Sequence, residues 1–169
     1  MTADEVIALL GLAPGATCGY VRLTYVAAER IAPGGLPAPF EAGRPMGSAL
    51  YFLVTPQAPV QLHRIRNDQL YHFYLGDPLE VLLLHEDGST ARVVVGPDLA
   101  AGQLVQLLIP GGTFHTARLV PGGQWFLGAS TEWPGVEPQD VELGDADALA
   151  AKFPAAEAEI RSFPVPAAG

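Results

Sequence analysis

The stretch HRIRNDQLYHFYLGDP, from His63 to Pro78, concentrates side chains that can do chemistry: two of the chain's four histidines, together with Asp68, Gln69, Tyr71 and Tyr74. Three uses are open to it. Neutral imidazoles can ligate a divalent metal. A histidine with a tuned pKa can move protons without one. Or the stretch is a well-packed pair of strands that happens to hold histidines. Side chains alternate faces along a strand, so Gln69, Tyr71 and Phe73 fall on one side and Leu70, His72 and Tyr74 on the other, while His63 shares a face with Ile65. That parity turns His72 away from Gln69 and makes it a hydrogen-bonded partner between strands, with a substrate contact as the alternative. Arg22 and Arg64 could grip an anionic group of a substrate in bidentate fashion, or pair with surface acids. His85 precedes the Glu86-Asp87-Gly88 turn and reads as exposed, and Cys18, the single cysteine, reads as a small core or loop residue.

The elements that must position these side chains are mostly short strands. TADEVIALLG opens as a helix, with Thr2 and Glu5 at capping-box spacing and Gly11 as its stop. YVRLTYVA alternates as a strand. Glu29 to Gly47 is a long loop rich in proline and glycine, of the kind that serves a function, wraps a barrel edge or makes a dimer contact. SALYFLVT, VQLHRIR and QLYHFYLG follow as strands. LEVLLLHEDGSTARVVVG is a hairpin turning at Asp87-Gly88. Two strands flank Pro110-Gly111-Gly112, and GQWFLGASTEW supplies the last. DADALAAKF and PAAEAEIRSF read as two short helices, the first capped by Asp145, and PVPAAG as a frayed end. Eight to ten short strands at near-regular spacing indicate an all-β sandwich or jelly-roll barrel.

Composition narrows the function classes. The 169 residues suit one domain, and 49% hydrophobic against 16% charged residues mark a folding sequence. The 16 prolines and 19 glycines supply the turns that such a chain needs. A net charge of −9 with only nine scattered Lys and Arg argues against nucleic acid and against anionic membrane surfaces. One cysteine excludes an internal disulfide framework and a cysteine-rich zinc site. No apolar run approaches the ~20 residues of a membrane span and no secretory pattern opens the chain, so a cytoplasmic location is expected.

Motif spacing then brings a family resemblance. His63, Ile65, Gln69 and Gly76 read H-x-I-x3-Q-x6-G, and Pro110, Gly112 and His115 read P-x-G-x2-H. These resemble the two motifs of the cupin superfamily, with Ile65 where a second histidine is usual, Gln69 where a glutamate is usual, and Leu119 in place of an asparagine. GYVRLTY, ALYFLVTP, LHRIRNDQLYHFYLGDPLEVLLL, GPDLAAGQLVQLLIPGGTFHTAR and PGVEPQDVELGD resemble, in order, the cupin_5 (DUF985) family over about residues 4–150. The resemblance implies a double-stranded β-helix, the cupin jelly-roll barrel, with a short N-terminal helix and short C-terminal helices. It implies one domain over residues 1–169, with a barrel core over about 18–143 and a helical tail over 145–163, and a homodimer. It also implies that His63, Gln69, Tyr71 and His115 point into the barrel mouth.

Two chemistries fit such a mouth. His63, Gln69 and His115 would be the ligands of a divalent metal (Fe, Ni, Mn, Cu or Zn), held weakly because a neutral amide leaves the ion's charge uncompensated. Without metal, His63 would be a general base, with a tyrosine among Tyr51, Tyr71 and Tyr74 as the acid, a pairing similar to that of the dTDP-sugar epimerases. The catalytic candidates are therefore His63, Tyr71 and His115, with Arg22, Tyr51, Arg64 and His72 as substrate contacts. The expected function is binding of a small polar metabolite in the barrel, with isomerase or epimerase chemistry. A metal-dependent oxygenase and a non-catalytic binding module are the alternatives.

Overall fold

The computed structural model describes residues 1–163, so the expected frayed end PVPAAG lies outside the described residues. In chain order the helices are α1 (Ala3–Leu10), α2 (Ala146–Lys152) and α3 (Glu157–Ser162). The strands are β1 (Ala13–Pro14), β2 (Tyr20–Val26), β3 (Arg30–Ile31), β4 (Arg44–Pro45), β5 (Ser48–Val54), β6 (Val60–Ile65), β7 (Asp68–Gly76), β8 (Leu79–Leu84), β9 (Thr90–Val95), β10 (Gln106–Ile109), β11 (Phe114–Leu119), β12 (Phe126–Trp133) and β13 (Val141–Leu143). They form a six-stranded sheet, β1-β2-β5-β12-β7-β10, facing a five-stranded sheet, β13-β6-β11-β8-β9. All ladders within these sheets are antiparallel. This is the expected all-β jelly roll.

The two inner faces meet in an apolar core that includes Phe52, Val54, Val81, Leu83, Ile109 and Phe126. Strand β8, LEVLLL, is apolar on both faces but for Glu80, because both are covered. Val81 and Leu83 point into the barrel, while Leu82 and Leu84 meet Leu149, Phe153 and Ile160 of the C-terminal helical segment. On the other side α1 packs Val6 against Leu53 and Leu127, covering part of the outer face of the six-stranded sheet. The expected helix signals are in place. Thr2 and Glu5 close a capping box, Gly11 ends α1 in the left-handed conformation, and Asp145 caps α2 through the Ala148 N–H. Gly88 and Gly112 take φ of 88° and 81° in the two expected turns.

Differences arise where long-range pairing decides. The residue 29–47 loop carries a small ladder, β3 with β4, that delivers the Arg44 guanidinium to the Asp140 carboxylate at 3.0 and 2.8 Å. Both residues are buried. The loop is thereby fastened to the segment 136–141, whose Val136 and Val141 line the barrel cavity. Strand β10 starts at Gln106, later than the apolar pattern from Gln103 suggests, because Leu104 pairs with Val95 instead. Strand β13 forms only because β6 offers it an edge. Among the described residues no helix is long and apolar enough to cross a membrane.

The bidentate Arg44–Asp140 pair is buried, and removing Asp140 leaves the buried guanidinium only a longer contact to Glu137 at 3.6 Å. Asp140→Ala is expected to lower unfolding stability by about 3–5 kcal/mol in urea melts. A loss below roughly 1 kcal/mol would show that the pair does not hold the loop down.

Candidate functional site

Strand register builds the site in rows. On the inner face of the six-stranded sheet, Ser48 of β5, Glu132 of β12 and Gln69 of β7 lie side by side, and Leu50, Ser130 and Tyr71 form the next row. Facing them, His63 of β6 is paired with His115 of β11. A cavity of about 150 Å³ opens between the sheets, lined by Cys18, His63, Gln69, Tyr71, Ser130 and Glu132 among others. His115 lies just behind this lining, fully buried. The structure therefore brings His63, Gln69 and Tyr71 to one cavity, with His115 supporting them from beneath.

Hydrogen bonds set the protonation of the imidazoles. His63 Nδ1 is 2.8 Å from the Gln61 carbonyl, and an acceptor there requires N–H on Nδ1, which leaves the Nε2 lone pair free. His115 Nδ1 faces the Thr113 carbonyl at 3.3 Å, so its Nε2 accepts the Tyr71 hydroxyl at 3.0 Å. Tyr71 has then spent its one hydrogen, and its oxygen is left to accept from the Cys18 thiol at 4.0 Å. Burial pushes His63 down to about 4. It pushes His115 well below the ordinary imidazole range, helped by the neighbouring His63 ring at 4.2 Å. The same dry surroundings raise Cys18 to about 11 and Tyr71 well above its usual value. At neutral pH this corner holds two neutral imidazoles, a phenol and a thiol.

Opposite stands a carboxyl that the sequence reading did not single out. Glu132 is buried, and its two oxygens each lie 2.5 Å from a serine hydroxyl, Oε2 from Ser48 and Oε1 from Ser130. Burial raises its pKa against the pull of those two hydroxyls. The signal was present in GASTEW: Ser130 and Glu132 share the face of Phe126, so the inward row turns polar at its end.

The other expected substrate contacts lie elsewhere. Arg22, Tyr51, Ala129, His72 and Gln106 form one row on the outer face of the six-stranded sheet. Arg22 donates to the Leu10 carbonyl and His72 bonds Thr131 and Gln106. Tyr51 packs edge-on against Tyr74. Arg64 points outward to Glu142 and Glu86 and over the Phe114 ring. None of the four lines the cavity.

The expected ligand set His63, Gln69 and His115 does not fit a metal as the side chains are arranged. Both nitrogens of His115 have protein partners, Gln69 Oε1 takes the Ser130 hydroxyl at 3.2 Å, and His63 Nε2 alone remains open. Among the described residues no three His, Cys, Asp or Glu side chains converge to hold an ion.

Comparison with known proteins agrees with this architecture. Residues 4–144 match the family described as Cupin_5, cupin superfamily (DUF985). A hypothetical protein from Leishmania major is 26% identical and superposes with a TM-score of 0.85, covering 96% of this chain and 98% of that one. A protein from Shewanella oneidensis, also 26% identical, gives 0.84 over 98% of this chain and 99% of that one. An uncharacterised protein of Saccharomyces cerevisiae is 26% identical over 100 residues, 57% of this chain and 50% of the relative, so the match spans about half of that curated protein.

Because His63 titrates near 4 when folded and near 6.5 when unfolded, the unfolded chain binds the extra proton between those values and stability falls as pH falls. The parent should therefore lose up to about 3 kcal/mol more than His63→Gln between pH 6.5 and 4, read from urea midpoints. Parallel pH profiles would contradict the buried, neutral imidazole.

Proposed function

Since the chain belongs to the Cupin_5 (DUF985) family of the cupin superfamily, we propose that its barrel cavity binds a small polar metabolite and moves a proton on it, in isomerase- or epimerase-type chemistry with His63 as the base. The observation that carries this reading is the His63 Nε2 lone pair: a neutral imidazole nitrogen without a protein partner among the described residues, on a residue lining a mostly apolar cavity that opens between the sheets. Burial makes the base weak, and the Gln61 carbonyl holds it in one orientation. Tyr71 and His115 act here as supports. Their mutual hydrogen bond fixes the floor beneath His63, and burial holds the tyrosine well above its usual pKa, which leaves Tyr71 a poor acid.

No step in this reading passes through a metal, since the donor set does not fit one. The isomerase reading differs from a purely binding cupin in one respect: it requires exchange of a substrate hydrogen with solvent. The test is to incubate the protein in deuterated buffer with a panel of aldoses, ketoses, hydroxy acids and sugar phosphates, following C–H loss by NMR. Exchange on one compound class, falling by on the order of 10²–10⁴ in His63→Gln, is the expected result. Binding of a compound by calorimetry with no exchange in the parent would favour the non-catalytic module.

A further inference from the structure

Resting on that proton-transfer reading, we propose that Glu132 is a second catalytic group, a carboxylic acid that donates to the substrate oxygen, and that the substrate is an uncharged, short-chain hydroxy-carbonyl compound.

The assignment of Glu132 comes from counting hydrogens. Ser130 Oγ has one, and two acceptor oxygens lie within reach, Glu132 Oε1 and Gln69 Oε1. Ser48 Oγ accepts the Val136 N–H at 3.1 Å and donates its hydrogen to Glu132 Oε2. A proton on Glu132 Oε1 satisfies the whole chain: Glu132 donates to Ser130, Ser130 to Gln69, and Ser48 to Glu132 Oε2. With the Gln69 amide oriented as it is, oxygen toward Ser130, an ionised Glu132 would take the Ser130 hydrogen and leave the Gln69 oxygen without a donor in this network. It would also be a charge with no counter-ion, because no Lys or Arg is among the cavity-lining residues described. Burial of Glu132 pushes in the same direction. His63 and Glu132 stand on opposite sheets, so a bound molecule lies between a proton acceptor and a proton donor.

The substrate class follows from the same lining. With no cationic side chain to pair it, a phosphate or carboxylate would enter at the full cost of desolvation. A volume of about 150 Å³ lies well below the roughly 300–1,000 Å³ of sites for drug-sized ligands, so only a few carbons fit. In the reaction, His63 Nε2 takes the proton from the carbon next to the carbonyl. The C–H electron pair becomes a C=C bond, the C=O π pair moves to oxygen, and that oxygen takes the Glu132 proton, which gives up its hydrogen bond to Ser130, to yield a neutral enediol. Return of the His63 proton to either enediol carbon, with Glu132 recovering a proton from the hydroxyl that becomes the carbonyl, completes an isomerisation. The balance closes without oxidant or co-reactant.

Two measurements test this. The first is the infrared difference spectrum between parent and Glu132→Gln at pH 7, with the pH titration of the parent alone as the reading if the variant does not fold. A protonated-carboxyl C=O band assignable to Glu132 is expected, and carboxylate bands alone would overturn the assignment whatever the activity. The second is thermal shift with dihydroxyacetone, glyceraldehyde and glyceraldehyde 3-phosphate. Stabilisation by the uncharged trioses and none by the phosphate is expected. A larger shift with the phosphate, or none with either triose, would overturn the substrate class. If the parent exchanges substrate hydrogen, Glu132→Gln should slow that exchange by on the order of 10²-fold or more, and an unchanged rate would remove Glu132 from the chemistry. A parent without exchange on any compound would instead fail the underlying reading of His63.

Discussion

Two imidazoles packed side by side inside a protein cannot both be charged. The His63 and His115 ring centres lie 4.2 Å apart, and two unit charges at about 4 Å repel by roughly 4 kcal/mol even at an effective dielectric of 20. Burial lowers both pKa values and keeps the rings neutral against the opposite pull of the Gln61 and Thr113 carbonyls, which fix each ring's hydrogen on Nδ1. The cross-strand pairing of β6 with β11 puts them there, and the same dehydration raises the pKa values of the tyrosine, thiol and carboxyl around them. The site is an island of neutral polar groups in a chain that carries −9 overall.

The scaffold around that pair is a consequence of side-chain alternation and of cover on both outer faces. Inward rows run from aromatic and aliphatic residues at the closed end of the barrel to Ser48, Gln69, Ser130 and Glu132 at the open end. The open end is tied to the loop between β2 and β5 by Arg44 and Asp140, and to Glu132 by the Ser48 hydroxyl, which also accepts the Val136 N–H. The strap that shapes the rim and the carboxyl inside the cavity are thus mechanically connected through one serine.

Much of this was legible in the sequence, and the parts that were not share a cause. Alternation in QLYHFYLG correctly separates Gln69 and Tyr71 from His72 and Tyr74, and the turn residues at Asp87-Gly88 and Pro110-Gly111-Gly112 mark real turns. Local signals of this kind act within a strand or a turn. Arg22, Tyr51 and His72 were candidates by residue type, yet register sets all three in one row on the outer face, and register depends on partners far along the chain. Glu132 was passed over because a lone acid near a strand end reads as a solvated group. Its burial arises only when β5 and β7 close on either side of β12. The buried Arg44–Asp140 pair, spanning 96 positions, is of the same kind.

The central claim is that His63 presents a neutral, unpartnered Nε2 at working pH. Nitrogen NMR of histidine-labelled protein, titrated from pH 7.5 to 4.5, reads tautomer and charge directly. The His63 ring is expected to stay neutral through pH 5, with its hydrogen on Nδ1 and its lone pair on Nε2. An imidazolium forming near pH 6.5, or a hydrogen on Nε2, would contradict it.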